Sequence, residues 1–324
     1  MLRKVLLAVG LSLVIVVVLL MTWKARADAR YFDAYDPTVP LNVYVAEVRE
    51  EEGYKLEKFY FDSTPGETVP TFMTLPATGE GPFPCAIFLH GIGQEKEFLE
   101  EITRPFNEAG FALASFDQYT RGERKIPKEA GRIAEAKGFL QRPARTVNDT
   151  RRLIDYLQTD KRIDPNRIYM FGASYGAITG STATAFDQRL KAAILVYGGG
   201  DLNKLLRAKY IVEGAKQEGM GLALTLARPI LTYLLAPADP VNYIDGIAPR
   251  PVLFQNGRFD GLVSPEAAQA FQDAAKDPKE IVWYESDHIG MDEDMVRRVL
   301  NDALVWIQKQ DQIIREASAA KAAA

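Results

Sequence analysis

The segment Arg167-Ile168-Tyr169-Met170-Phe171-Gly172-Ala173-Ser174-Tyr175-Gly176-Ala177-Ile178 constrains the fold more than any other stretch of the chain. An apolar run of strand character enters Gly-x-Ser-x-Gly and leaves into a stretch of small residues that reads as a helix. Turning from strand to helix within so few residues strains the backbone at the residue between them. Glycines two positions before and after Ser174 let neighbouring backbone pass where a Cβ would collide. A serine on such a turn lifts its hydroxyl clear of the sheet edge, over a helix N-terminus whose field favours negative charge. These are the physics of a nucleophile elbow, and they predict Ser174 as an attacking alcohol. Gly-x-Ser-x-Gly alone is a common pattern; the strand before it, the helix after it and the partners downstream give it weight.

Further apolar runs flank this segment. Cys85–Leu89, Ala112–Phe116, Arg167–Phe171, Ala192–Tyr197, Val252–Phe254 and Ile281–Tyr284 each read as a strand buried on both faces, as in a parallel sheet. Helical patterns fall between and after them at Lys96–Glu108, Val147–Leu157, Ser174–Phe186, Pro265–Ala275 and Asp292–Lys309. Alternation of this kind predicts an α/β fold with a mostly parallel, doubly wound sheet. Earlier strands at Val43–Val48, Tyr54–Phe61 and Val69–Leu75 are joined by Glu-Glu-Gly and Thr-Pro-Gly turn signals, so the sheet is expected to start antiparallel. The main domain is placed at 54–310, after a linker and first strand over 31–53 and before an Ala-rich tail over 311–324 whose end, Ala317 to Ala324, reads as frayed.

Asp201 to Tyr243 is too long for a simple crossover and is rich in Leu, Ala and Gly. It reads as an inserted helical cap near the C-terminal edge of the sheet, shaping an acyl or aromatic pocket and excluding water. A crossover helix with a long loop, or a membrane-contacting surface, fits the same composition.

At the N-terminus nothing from Val5 to Trp23 is charged. About 19 apolar residues suffice to cross a bilayer as a helix, so residues 1–30 are expected to form a transmembrane anchor flanked by Arg3 and Lys4 on one side and Lys24 and Arg26 on the other. The expected orientation is N-terminus in, with the body outside the cytoplasm. Ala25-Arg26-Ala27 also fits a signal-peptide cleavage site, which would make the protein secreted; the apolar run exceeds the usual ~7–15 residues of a signal peptide.

A net charge of −4 gives no electrostatic reason to expect a nucleic-acid partner. The one cysteine, Cys85, lies in an apolar run and reads as a buried strand residue. The two histidines are far apart with no closely spaced ligand set, and Gly91-x-Gly93 lacks the third glycine of a dinucleotide fingerprint. Neither metal nor cofactor is expected.

An alcohol needs a base within hydrogen-bond reach and a group to orient that base. His288, in a polar loop past the last strand, is the candidate base; His90 is followed by Gly91-Ile92-Gly93 and reads as part of an oxyanion loop. Asp260, after a strand and a glycine turn, is the favoured carboxylate, with Asp287 and Glu285 as competitors. The order Ser174, Asp260, His288 is the one expected of α/β-hydrolases. The oxyanion donors are expected to be the backbone N–H groups of Ile92 and Tyr175.

The constellation resembles the α/β-hydrolase superfamily from about Tyr54 to Gln308. Phe88-Leu89-His90-Gly91, Asp164-Pro165-Asn166-Arg167-Ile168, and Asp239-Pro240 leading to Pro251-Val252-Leu253 are similar to the dienelactone hydrolase and acetyl xylan esterase-like group, relatives of prolyl oligopeptidase catalytic domains. The resemblance implies hydrolysis of a small-molecule carboxylic ester by Ser174, Asp260 and His288, with the oxyanion loop at His90–Gly93. Two departures stand out. Dienelactone hydrolases proper carry cysteine at the position of Ser174, and the loop Asp117-Gln118-Tyr119-Thr120-Arg121-Gly122 differs from the family version. The charged stretch from there to Arg145 is expected to rim the entrance. The rival readings are a serine peptidase of prolyl oligopeptidase type, disfavoured by the lack of a propeller-length N-terminal region, and a non-catalytic hydrolase-fold binding module at the membrane, disfavoured by the complete triad.

Overall fold

The structure, a computed structural model, describes residues 18–19, 21–63, 66–290 and 292–323. The first strands, β1 (Tyr44–Glu51), β2 (Tyr54–Asp62) and β3 (Thr68–Pro76), form an antiparallel meander. β3 pairs antiparallel with β5 (Ala112–Phe116), and from there the sheet is parallel through β4 (Phe83–Leu89), β6 (Ile163–Ala173), β7 (Leu190–Val196), β8 (Val252–Gly257) and β9 (Lys279–Tyr284). The spatial order is β1-β2-β3-β5-β4-β6-β7-β8-β9. The reversal of order at β4 and β6 sets the two strands that lead to His90 and Ser174 side by side, and in open α/β sheets ligands bind at such a switch point.

The continuous apolar runs are buried on both faces because helices cover both. Successive side chains of a strand alternate between faces. Cys85, Ile87, Leu89, Ile168 and Met170 therefore join one core, packed under α3 (Gly131–Leu157), α4 (Tyr175–Phe186) and α8 (Pro265–Ala274). Ala86, Phe88, Tyr169 and Phe171 join the other, under α2 (Leu99–Glu108) and α9 (Glu293–Ala323). Asp311 of α9 accepts from Arg167 at 2.7 and 2.6 Å and from the Tyr169 hydroxyl at 2.7 Å, which clamps that helix to the strand entering the elbow. Cys85 is wholly buried, and burial pushes its thiol pKa up.

Several expectations need correction. α3 begins at Gly131 rather than Val147 and runs through Pro143, because strong helix formers on either side outweigh the one lost backbone bond. α9 continues as helix through the Ala-rich end, where fraying was expected; alanine has the highest helix propensity. Residues 31–40 are not a free linker. Tyr31 donates to the Leu140 carbonyl at 2.6 Å, Tyr35 donates to Asp155 at 2.9 Å, and Phe32 packs on Phe186 and Tyr243.

The expected membrane-spanning run Val5–Trp23 lies mostly outside the described residues; residues 21–29, which overlap its end, form helix α1. Between β7 and β8 the chain forms α5 (Leu202–Leu205), α6 (Lys209–Gln217) and α7 (Gly221–Leu235).

Candidate active site

Ser174 stands between β6 and α4 with φ 55° and ψ −117°, a region that non-glycine residues rarely occupy. Close packing holds the strain in place. A Cβ at Gly172 would lie 2.3 Å from the Gly176 carbonyl oxygen, and one at Gly176 would lie 1.8 Å from that of Leu89. The Ser174 amide donates to the Val196 carbonyl at 2.8 Å, which pins the turn to β7.

The His288 and Asp260 loops are joined to each other by backbone. After β8, the amides of Arg258 and Phe259 donate to the carbonyls of Tyr284 and Ser286 at 2.8 and 3.0 Å. Gly257 makes the crossing possible, since a Cβ there would sit 2.6 Å from the Ser286 carbonyl oxygen. His288 Nδ1 then lies 2.7 Å from Asp260 Oδ2, and Nε2 lies 2.9 Å from Ser174 Oγ. The other Asp260 oxygen, Oδ1, accepts from the amides of Leu262 and Val263, both at 2.8 Å. With Oδ2 committed to the ring, the carboxylate is fixed at both ends.

The competing carboxylates have other partners. Asp287 accepts from the amides of Gly261 (3.0 Å) and His288 (2.7 Å) and from the Tyr210 hydroxyl of α6. Burial raises the pKa of Asp287, but these donors outweigh it and hold the carboxyl below its ordinary value. Glu285 pairs with Arg258 at 2.9 Å.

His90 is buried, and its Nδ1 lies 2.9 Å from the Gly91 carbonyl. Burial lowers its pKa and keeps the ring neutral, as a bracing group requires. The loop after it is locked from within and from behind. The Gly91 amide donates to Gln94 Oε1 at 2.9 Å, and Gln118 donates to the His90 carbonyl at 2.7 Å. Asp117, fully buried, accepts from the Lys96 amide (3.1 Å), the Lys96 ammonium (3.0 Å) and the Glu123 amide (2.9 Å). Ile92 borders the same cavity as Ser174, and Tyr175 opens α4, where an amide has no intrahelical acceptor.

Sequence reasoning missed three supporting groups. Asp117 belongs to the loop that differs from the family version, and nothing in the sequence signals that it anchors Lys96. Tyr197, with φ 50°, meets the His288 ring edge-on at a centroid distance of 5.8 Å and bonds Ser286 at 2.5 Å. Tyr210 reaches Asp287 from the segment between β7 and β8. Only the triple glycine after Tyr197 hinted at crowding there.

Ser174 and His288 open onto a cavity of about 210 Å³ walled by Phe88, Phe98, Ile102, Phe171, Val196 and Leu300. The cavity lies between α2 and α9. None of its lining comes from residues 201–243, and none from 117–145. Both expectations, that the first segment shapes the pocket and the second rims it, are corrected: apolar side chains of α2 and α9 already fill those positions.

A model of the acetyl xylan esterase (AXE1) family matches residues 35–213, and one of the prolyl oligopeptidase family matches residues 131–312, each more than half of the chain. The chain belongs to the α/β-hydrolases, in the group that joins these two families.

Among its relatives, Esterase YjfP of Escherichia coli (strain K12) is 24% identical, over 60% of this chain and 75% of that protein. The acetyl xylan esterase from Paenibacillus sp. R4 superposes with a TM-score of 0.64 at 18% identity, covering 86% of this chain and 92% of its own. Acetyl xylan esterase 1 from a Thermoanaerobacterium species gives 0.62 at 18% identity, over 86% and 92%. At this identity the solved structures establish the shared fold. This α/β-hydrolase is esterase-like by family, and its elbow, its two loops and its cavity lie at the C-terminal ends of the parallel strands, where the fold locates its sites.

Proposed function

We propose that this hydrolase is a membrane-tethered serine esterase that cleaves carboxylic esters with apolar acyl groups through an acyl-enzyme. The observation that carries the reading is the hydrogen-bond chain Asp260–His288–Ser174 opening on an apolar cavity. His288 Nε2 takes the Ser174 proton as Oγ attacks the ester carbonyl, while Asp260 holds the tautomer with the proton on Nδ1 and stabilises the imidazolium. The tetrahedral oxyanion is held by the amides of Ile92 and Tyr175; one such donor is typically worth roughly 3–4 kcal/mol. His288 returns the proton to the departing alcohol, leaving the acyl group on Ser174. Water, deprotonated by His288, then releases the acid by the same path in reverse. Among the described residues the cavity lining contains no carboxylate, Lys or Arg, which suits a neutral apolar acyl chain.

The prolyl oligopeptidase match favours a second reading, a serine peptidase. Comparing p-nitrophenyl esters with peptidyl anilides separates the two, and the esters are expected to be the better substrates. The tether rests on the uncharged run Val5–Trp23 with its basic flanks, and has the domain outside the cytoplasm.

The decisive test is Ser174→Ala. Turnover of p-nitrophenyl butyrate is expected to fall by at least about 10⁴-fold, fluorophosphonate labelling to disappear, and the circular dichroism to remain unchanged. Unchanged turnover refutes the assignment.

A further inference from the structure

The proposed chemistry makes no use of α7, and its surface is unlike the rest of the domain. Leu222, Leu226, Ile230 and Tyr233 recur at three- or four-residue spacing, so they share one face of the helix. They are 74%, 67%, 62% and 53% exposed, and Leu235 is the only buried residue of α7. Contiguous apolar stripes of this kind mark interaction surfaces. By length and composition Gly221–Ala238 could cross a bilayer. Its C-terminal end is nevertheless built into the domain: Pro237 and Ala238 are buried, and Tyr243 donates to the Pro237 carbonyl at 2.8 Å. With that end built into the domain and its stripe left open, α7 suits the plane of an interface better than a crossing.

The position of the N-terminal apolar run identifies the partner. That run ends at Trp23, and the ammonium of the next residue, Lys24, lies 4.6 Å from the Tyr233 ring centroid. The described residues just before Lys24 are open as well: Leu19, Met21 and Trp23 are more than half exposed. Tyr31 and Phe32 fix the chain to the domain immediately afterwards, so the contact is not at the end of a slack linker. A span ending at Trp23 sets Lys24 at headgroup depth, which puts Tyr233 at the same level, with α7 extending roughly 18 Å from it towards Gly221. Over Asp201–Tyr243 the chain carries Lys204, Arg207, Lys209, Lys216 and Arg228 against Asp201, Glu213, Glu218 and Asp239, with Lys204 paired to Asp201 at 2.9 Å, so the segment is slightly positive in a chain whose net charge is −4. Local positive charge beside an apolar face suits anionic lipid.

We propose that α7 lies flat in the membrane interface beside the N-terminal span, its apolar stripe in the lipid and its basic neighbours among anionic headgroups. The inference rests on the tether and not on the esterase chemistry.

The test uses the full chain reconstituted in vesicles of phosphatidylcholine and phosphatidylglycerol. An environment-sensitive fluorophore is attached at Leu226→Cys, at Ile230→Cys and, as control, at Val305→Cys, which is 59% exposed on α9. The native Cys85 is fully buried and escapes labelling. Turnover of a soluble ester, compared with the unlabelled chain, reports intact folding. Nitroxide lipids are expected to quench the fluorophores at 226 and 230 more than the control, with a headgroup-proximal nitroxide more effective than one deep in the chain. If the vesicles float with the protein but quenching equals that of the control, docking is overturned and the tether stands. A blue-shifted fluorophore without quenching means that α7 is covered by the chain's own N-terminal segment or by a second copy, and also overturns it. Stronger quenching by the deep nitroxide means a crossing helix and overturns the in-plane arrangement. No flotation removes the tether and the docking together, leaving ester turnover to judge the chemistry separately.

Discussion

Replacing Asp260 by Asn tests the site most sharply, because the structure fixes how the new side chain must sit. Oδ1 accepts two backbone amides at 2.8 Å each. Those donors require an acceptor, so the carbonyl of the introduced carboxamide must take the Oδ1 position and its NH₂ must face His288. The NH₂ then donates to Nδ1, the ring proton moves to Nε2, and Nε2 can no longer accept from Ser174. Loss of the correct tautomer in a serine triad costs about 10⁴-fold in kcat, equivalent to about 5.5 kcal/mol of barrier. Asp260 does not line the cavity, so KM is expected to change little. Stability is also expected to change little, because both amides keep an acceptor. Asp260→Ala provides the contrast: activity falls as well, but the amides of Leu262 and Val263 lose their acceptor, at about 1–3 kcal/mol for each buried group left unpaired. Asp287→Asn is the control beside it, with less than about a tenfold loss, since Asp287 touches neither ring nitrogen. Initial rates on p-nitrophenyl butyrate and urea melts measure all three. If the Asp260→Asn enzyme keeps more than about a tenth of wild-type kcat, or unfolds as early as Asp260→Ala, the orientation argument is wrong.

Three further outcomes follow from the geometry. Gly176→Ala is expected to destabilise the fold by about 3 kcal/mol or more, because its Cβ would meet backbone oxygens of Leu89 and His90 that cannot rotate away; urea denaturation reads this, and an unchanged midpoint contradicts the close approach. Leu300→Trp narrows the cavity. Each excluded methylene forfeits about 0.8 kcal/mol, so excluding four costs about 3 kcal/mol, roughly a hundredfold in kcat/KM for long acyl chains, with acetate esters spared. Glu123 is raised by partial burial but lowered more by Lys58, Lys96 and Tyr60, ending at a pKa of about 2 against an ordinary 4.5. Its folded value is depressed, so its contribution to stability is complete above pH 4.5 and is lost as pH falls towards 2. Glu123→Gln should flatten acid unfolding across that window, and an unaltered slope would count against the Lys96 cluster.

The sequence by itself determined whatever depends on short-range periodicity. The alternation of faces along Cys85–Leu89 and Arg167–Phe171 follows from the twofold repeat of a strand, and both runs divide between the two cores as that repeat requires. The Gly172–Gly176 turn is equally local, since a strand cannot reverse into a helix around Ser174 without backbone passing where side chains would stand. With only two histidines in the chain, the choice of a base was nearly forced.

The tertiary structure decided what depends on separation. Asp287 is adjacent to His288 and Asp260 is 28 residues away, yet Asp260 meets the ring because backbone bonds tie the β8 loop to the β9 loop. The cavity walls come from α2 and α9 rather than from the apolar segment at 201–243: composition shows that a segment is apolar but not which surface it will cover. That segment turns its stripe outwards beside Lys24, and the supposed linker over 31–40 is docked by Tyr31, Phe32 and Tyr35. Contacts between residues more than a hundred positions apart, such as Tyr31 with Leu140, leave no periodic trace in a sequence; they are fixed only once the sheet has brought its helices together.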